Sequence, residues 1–138
     1  MLMPDWGFRS YGGQCQDGTI SGIENMALKM QRSAWGFHVK AGADGYGHVL
    51  HNWFACGRPV IINYSEYKDK LAGELLIPNE TCLVAEVGQD MSQIAQRIQT
   101  MPPHEYEWMC SRVREIFGNC VDFEKDSENV KRWLTTLI

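Results

Sequence analysis

Long hydrophobic runs are missing from this chain. The longest unbroken apolar stretches, such as Trp53–Cys56 and Cys82–Ala85, are only a few residues, far short of the roughly 20 that a membrane-spanning helix needs. Short cysteine spacings are missing too. Cys15, Cys56, Cys82, Cys110 and Cys120 are odd in number, no C-x-x-C occurs, and no Cys-His cluster has zinc-finger spacing. Neither a disulfide scaffold nor a zinc module is expected. Reduced thiols in a cytoplasmic protein are the simplest reading, with Cys56 and Cys82 acting as small hydrophobes in apolar stretches. Met1-Leu2-Met3-Pro4-Asp5 lacks a basic and then apolar signal region, so the expectation is a soluble, cytoplasmic chain. An excess of positive charge is also absent. Thirteen bases against seventeen acids leave a net charge of −4, which argues against a nucleic-acid coat or an anionic-membrane binder. No internal repeat and no low-complexity linker is visible.

What the chain does contain is packing material. Of its 138 residues 44% are hydrophobic, and five Trp, five Tyr and five Phe are among them. That composition excludes disorder and suits one domain, or part of a larger one.

From Pro4 to Gly18 glycine and aromatic residues dominate, which predicts a short strand and a long loop. Ile20, Ile23, Met26, Ala27 and Met30 recur at helical spacing, predicting an amphipathic helix over about 19–32. Ala34 to Lys40 reads as a strand, Gly42, Gly45 and Gly47 as a turn, and His48 to Cys56 as a second helix stopped by Gly57 and Pro59. Strands follow at Pro59–Asn63 and Cys82–Glu86, separated by a loop with a short helix over 64–76. Helical periodicity then runs over about 90–101, 104–117 and 126–137, with Pro103 suited to a helix start. Trp108, Trp133 and the methionines of these last helices read as core.

Helices alternating with apolar strands predict an α/β fold. The reading is a Rossmann-like, three-layer fragment with a short parallel sheet of three or four strands, helices on both faces and an all-helical C-terminal third. A complete doubly wound sheet has about six strands.

Chemistry concentrates between His38 and Asn63, HVKAGADGYGHVLHNWFACGRPVIIN. Glycines between a strand and a helix admit a ligand close to the backbone. The helix beginning near Gly47 points unpaired N–H groups and the positive end of its dipole at the turn, which suits a phosphate. At 100° per residue Val49, Leu50, Trp53, Phe54 and Cys56 share one arc that must pack on the sheet, and His48, His51 and Asn52 share the opposite arc with Ala55. That polar arc faces a cleft or plain solvent. Asn52 lies eight residues after Asp44, so both side chains can reach one ligand.

These residues resemble a family. ADGYGHVLHNWFACGRPVI is similar to the donor-binding segment of retaining, nucleotide-sugar-dependent glycosyltransferases of the GT-B type, in particular the large family 4. ELLIPNETCLVAE is similar to the loop and strand that follow it, and the helices from Asp90 to Leu137 resemble the closing helices of that domain. The likeness covers about 20–138 and is strongest over 44–62. It implies a single domain over 1–138, half of a GT-B C-terminal domain, with a motif core over 34–88 and closing helices over 90–137. It implies transfer of a sugar from a nucleotide diphosphate sugar to an acceptor hydroxyl, the nucleotide sugar being the donor substrate, its base unspecified, with no other cofactor and no metal. Asp44 takes the place of the first acid of the E-x7-E motif, near the donor sugar. Gly45, Tyr46 and Gly47, with His48 beginning the helix, match the loop that approaches the donor phosphates. Asn52 falls where the second Glu holds the ribose. Asp44 is a shorter acid and Asn52 a neutral group, and neutral hydrogen bonds are about half as strong as charge-assisted ones. A non-catalytic nucleotide-sugar-binding or interaction module is therefore the alternative.

The acceptor domain of such enzymes and their basic pair at the diphosphate are not in this sequence. Lys40, beside the turn, can supply one positive charge or simply cap a strand. His38 can face the cleft or the core. His48 and His51, spaced i, i+3, lack a third ligand for a metal. Arg58, after a helix C-terminus, reads as structural. Tyr64, Ser65 and Tyr67 follow a strand at the edge where parallel sheets bind ligands. The final helix carries an apolar stripe that implies either a missing acceptor domain or self-association.

Overall fold

Three short strands at the centre follow from three β-branched or aromatic runs. The computed structural model describes residues 7–42 and 47–137. Strands β1 (Gly36–His38), β2 (Val60–Ile62) and β3 (Cys82–Val84) form one parallel sheet in the order β1-β2-β3, with Phe37 opposite Ile61 and Ile61 opposite Leu83. Among the described residues of the Pro4–Gly18 stretch no strand forms. Asp17 holds that loop instead, accepting from Ser10 N–H at 2.7 Å and Arg9 Nη1 at 3.1 Å.

Around the sheet lie α1 (Ile23–Arg32), α2 (His48–Ala55), the single turn α3 (Tyr64–Tyr67), a 3-10 segment (Leu71–Leu75), α4 (Ser92–Thr100), α5 (Pro103–Cys120) and α6 (Phe123–Thr136). Helix α1 begins later than its periodicity predicts because Gly22 sits at φ +85°, outside the helical region. Helix α2 ends as expected. Gly57 N–H donates to Phe54 O at 2.8 Å and Arg58 N–H to Trp53 O at 3.1 Å, the paired bonds of a left-handed glycine stop.

The strand pleat sorts the core into two layers. Val60, Ile62 and Cys82 face α2, the 3-10 segment and Val113 of α5. Ile61 and Leu83 face α4, with Ala95, Ile98 and Met109. Helices thus cover both faces, the Rossmann-like arrangement predicted. Helix α5 does more than cover a face: it crosses the amino ends of all three strands. Tyr106 donates to Ala34 O just before β1 at 2.6 Å. Arg58, just before β2, donates to the Tyr106 hydroxyl at 3.4 Å, and Arg112 pairs with Glu80, just before β3, at 2.9 Å.

Two expectations about the core fail. Trp108 is 46% exposed and Trp133 is 60% exposed, so neither is core. Helical periodicity places a tryptophan on an apolar face, but only the approach of another element buries that face. Met109, on the sheet side of α5, is buried as expected.

Candidate functional site

With α5 across the amino ends, the opposite edge of the sheet is where polar side chains gather. There β1 ends at His38, β2 runs into Asn63, and β3 leads within two residues to Glu86. Asn63 is fully buried. Its Nδ2 donates to Lys40 O at 2.9 Å, and its Oδ1 accepts from Lys40 N–H at 3.4 Å. A side-chain amide thereby takes over the backbone pairing that a longer β1 would have supplied, and fixes where the chain enters the glycine-rich turn.

His38 Nε2 and the Tyr67 hydroxyl share a hydrogen bond of 2.7 Å, their ring centroids 5.4 Å apart. Tyr67 is buried, and Lys70 Nζ lies 4.7 Å from its ring centroid, within cation–π range. His38 stands at the end of β1, at this edge. The ring is half-buried and ties β1 to α3. Glu86 bridges the other side of the edge, accepting from Ser65 N–H at 3.1 Å and from Ser65 Oγ at 2.5 Å, while Glu86 N–H donates to Gln89.

The start of α2 is set by Gly47. Its φ of +89° is a left-handed conformation, and a Cβ there would lie 2.5 Å from the Cβ of Ala72. Only glycine meets both conditions. The Gly47 carbonyl accepts from Leu50 N–H at 3.0 Å and lies 3.2 Å from His51 Nδ1.

Asp44, Gly45 and Tyr46 lie outside the described residues. Gly47 is buried and His48 exposed at the first turn of α2; Lys40 is exposed and held by its backbone at the sheet edge. Leu50 and Phe54 enter the core as the arc predicts, while Val49, on the same arc, is exposed. Asn52 is half-buried and lines a groove of about 180 Å³ between α1 and α2, with Ile23, Met26, Met30 and Cys56 among its neighbours. Burial pushes the Cys56 thiol up, and its Sγ lies 3.8 Å from Ala27 O. A raised thiol is a poor nucleophile. Among the described residues no three His, Cys, Asp or Glu side chains converge as a metal site would require, and no helix is long and apolar enough to cross a membrane.

Reasoning from sequence singled out the glycine turn and missed the roles of Asn63 and Glu86. A polar residue directly after a buried apolar strand was the signal available, since it must stand at the carboxyl edge of a parallel sheet.

No protein-family model matches the chain, and no curated protein matches it. Two solved structures do, those of Anabaena Alr3699/HepE in complex with UDP and in complex with UDP-glucose. The fold is shared. Each superimposes with a TM-score of 0.66 at 18% identity, over 86% of this chain and 31% of that one. At this identity the likeness is one of fold. The chain spans less than a third of the length of the protein it resembles.

Proposed function

We propose that this chain is the donor-side portion of a glycosyltransferase and holds a nucleotide diphosphate sugar at the carboxyl edge of its sheet. One observation carries the reading. The edge is built around the clasp between buried Asn63 and the backbone of Lys40 and around the buried left-handed Gly47, from which α2 starts with its amide end. Oriented amide donors stabilise the negative charge that grows on a departing diphosphate. The presence of UDP and UDP-glucose in the structures that share the fold supports the same ligand class.

In this reading Gly45, Tyr46, Gly47 and His48 approach the phosphates, Lys40 adds a positive charge and His38 belongs to the donor-binding set. Asp44 orients the donor sugar and Asn52 contacts the ribose. Residues 34–88 form the donor core, residues 90–137 close the domain, and a second domain supplies the acceptor. Family 4 of the GT-B enzymes is the class whose pattern 44–62 follows. The five unpaired cysteines support a cytoplasmic setting.

A second reading, a nucleotide-sugar-binding module without catalysis, is favoured by one observation: Asn52 is neutral and shares its groove with the apolar side chains of α1. Titration of the labelled protein with UDP-glucose tests the first reading. Amide shifts at Gly47–His51, Lys40 and Asn63 are expected; shifts confined to α5 and α6 overturn it. An Asn52→Glu variant separates the two. Tighter binding supports a ribose contact and the transferase, and unchanged affinity supports the module.

A further inference from the structure

The two margins of the sheet are finished differently. At β3 the chain closes part of its own margin: Asn79 N–H donates to Cys82 O at 2.8 Å, and Pro78 stands in bridge position to Cys82. At β1 no such turn folds back among the described residues. Gly36 N–H donates to Pro59 O at 3.0 Å. Gly36 and His38 therefore turn their backbone groups toward β2, and Phe37 between them turns its N–H and C=O outward. No backbone bond outside the ladder reaches Phe37 among the described residues. Edge strands are ordinarily blunted by a charge, a proline, a bulge or a covering element. Trp35-Gly36-Phe37-His38-Val39 holds no proline, lysine or carboxylate.

On the α2 face β1 is packed as an interior strand is. Gly36 is buried, and a Cβ there would stand 2.6 Å from Trp53 Cδ2. On the α4 face the ring of Phe37 is 52% exposed, although its neighbour Ile61 on β2 is buried in that layer. Further along β1 on that face a groove of about 160 Å³ opens between Trp35, Ile98, Met101 and Tyr106. Parallel sheets are covered on both faces, and a doubly wound one has about six strands. This chain supplies three of them over less than a third of the length of the protein that shares its fold. We propose that the outer edge of β1 takes a fourth, parallel strand from a polypeptide segment outside this sequence, an apolar extended segment that pairs with the Phe37 backbone and covers its ring. The pairing does not require a bound donor.

The heptapeptide Arg58–Tyr64, RPVIINY, contains the segment that already runs parallel to β1 on its inner side, and it serves as the strand probe. Amide shifts and hydrogen exchange of the labelled chain are read with and without it. In the chain alone Phe37 N–H exchanges freely, while His38 N–H, which faces β2, is protected. With peptide at about ten times its dissociation constant, Phe37 exchange slows about tenfold, and the shifts centre on Trp35–Val39. A nitroxide on the peptide's carboxyl end broadens Val39 and Lys40 more than Ala34 and Trp35. Phe37→Lys, at an exposed position, keeps the fold and weakens peptide binding about tenfold; Phe123→Lys, at an exposed aromatic of α6, leaves it unchanged. An unaltered Phe37 amide at millimolar peptide overturns the proposal. A label that broadens Ala34 and Trp35 instead means antiparallel addition and overturns it as well. Sedimentation of the chain alone should give 15.8 kDa. A dimer in which the Phe37 amide is protected assigns the edge to a second copy and overturns the fourth strand.

Discussion

The carboxamide of Asn63 and the backbone of Lys40 hold each other by two hydrogen bonds, of 2.9 and 3.4 Å. They join the end of β2 to the chain just beyond β1, at the point where the glycine-rich turn begins. Strand β1 is only three residues long, so this side-chain clasp, rather than further ladder bonds, determines where the turn departs from the sheet.

Asn63→Ala should therefore disturb the candidate site as well as the fold. It removes both bonds to the Lys40 backbone and empties the buried site of the Asn63 carboxamide, a loss of about 1–3 kcal/mol. Urea unfolding should show the lower midpoint, and UDP-glucose should no longer shift the Gly47–His51 amides at concentrations that suffice for the wild type. An unchanged midpoint would mean that the clasp is dispensable.

Gly47→Ala tests the start of α2. A left-handed residue with a Cβ is strained, and this Cβ would stand 2.5 Å from Ala72 Cβ. Together they predict a loss of about 2–4 kcal/mol. The double variant Gly47→Ala, Ala72→Gly removes the collision and keeps the backbone strain, so thermal melting should show partial recovery only. Full recovery would locate the whole effect in packing.

Alkaline conditions should unfold the protein before its surface arginines matter. Burial pushes the Cys82 thiol from 9.0 up to about 12 and the Tyr106 hydroxyl from 10.0 up to about 12. Both groups bind their proton more tightly folded than unfolded. Their stabilising contribution is complete below the unfolded values and is lost as pH climbs from about 9 to 12. Urea midpoints taken from pH 8 upward should fall across that window, less steeply in Cys82→Ala than in the wild type. A flat profile would contradict the burial of both groups.

Arg58→Lys keeps the charge and loses the fork. Nε and Nη2 both donate to Gln31 O, at 3.2 and 2.6 Å, while Nη1 reaches the Tyr106 hydroxyl. An ammonium cannot make all three bonds, and the expected loss is about 1 kcal/mol. Differential scanning calorimetry should find a lower melting temperature in Arg58→Lys, with a further drop in Arg58→Ala. Equal melting of Arg58→Lys and wild type would assign the residue's role to charge alone.

Parts of this structure are legible in the sequence. Gly57 followed by Arg58 and Pro59 gave away the end of α2, because a left-handed stop needs glycine and proline cannot continue a helix. The alternation of Val60, Ile61 and Ile62 between the two core layers follows from the pleat once the strand is buried on both faces. The beginning of α1 was misplaced because periodicity alone cannot see Gly22 at φ +85°. Trp108 and Trp133 were misread for a related reason: an apolar arc says which face seeks a partner, and a partner must still arrive.

By itself the sequence determined what short-range physics controls. Apolar spacing selected helices and strands, glycine and proline stopped them, and strands alternating with helices required a parallel sheet. The tertiary structure alone decided which polar groups meet. His38 and Tyr67 are 29 positions apart, Lys40 and Asn63 are 23, and Ser65 and Glu86 are 21. No local preference encodes those separations. Each pair comes together because parallel strands return every carboxyl end to one edge, and at buried Asn63 and Tyr67 the polar groups must find partners there.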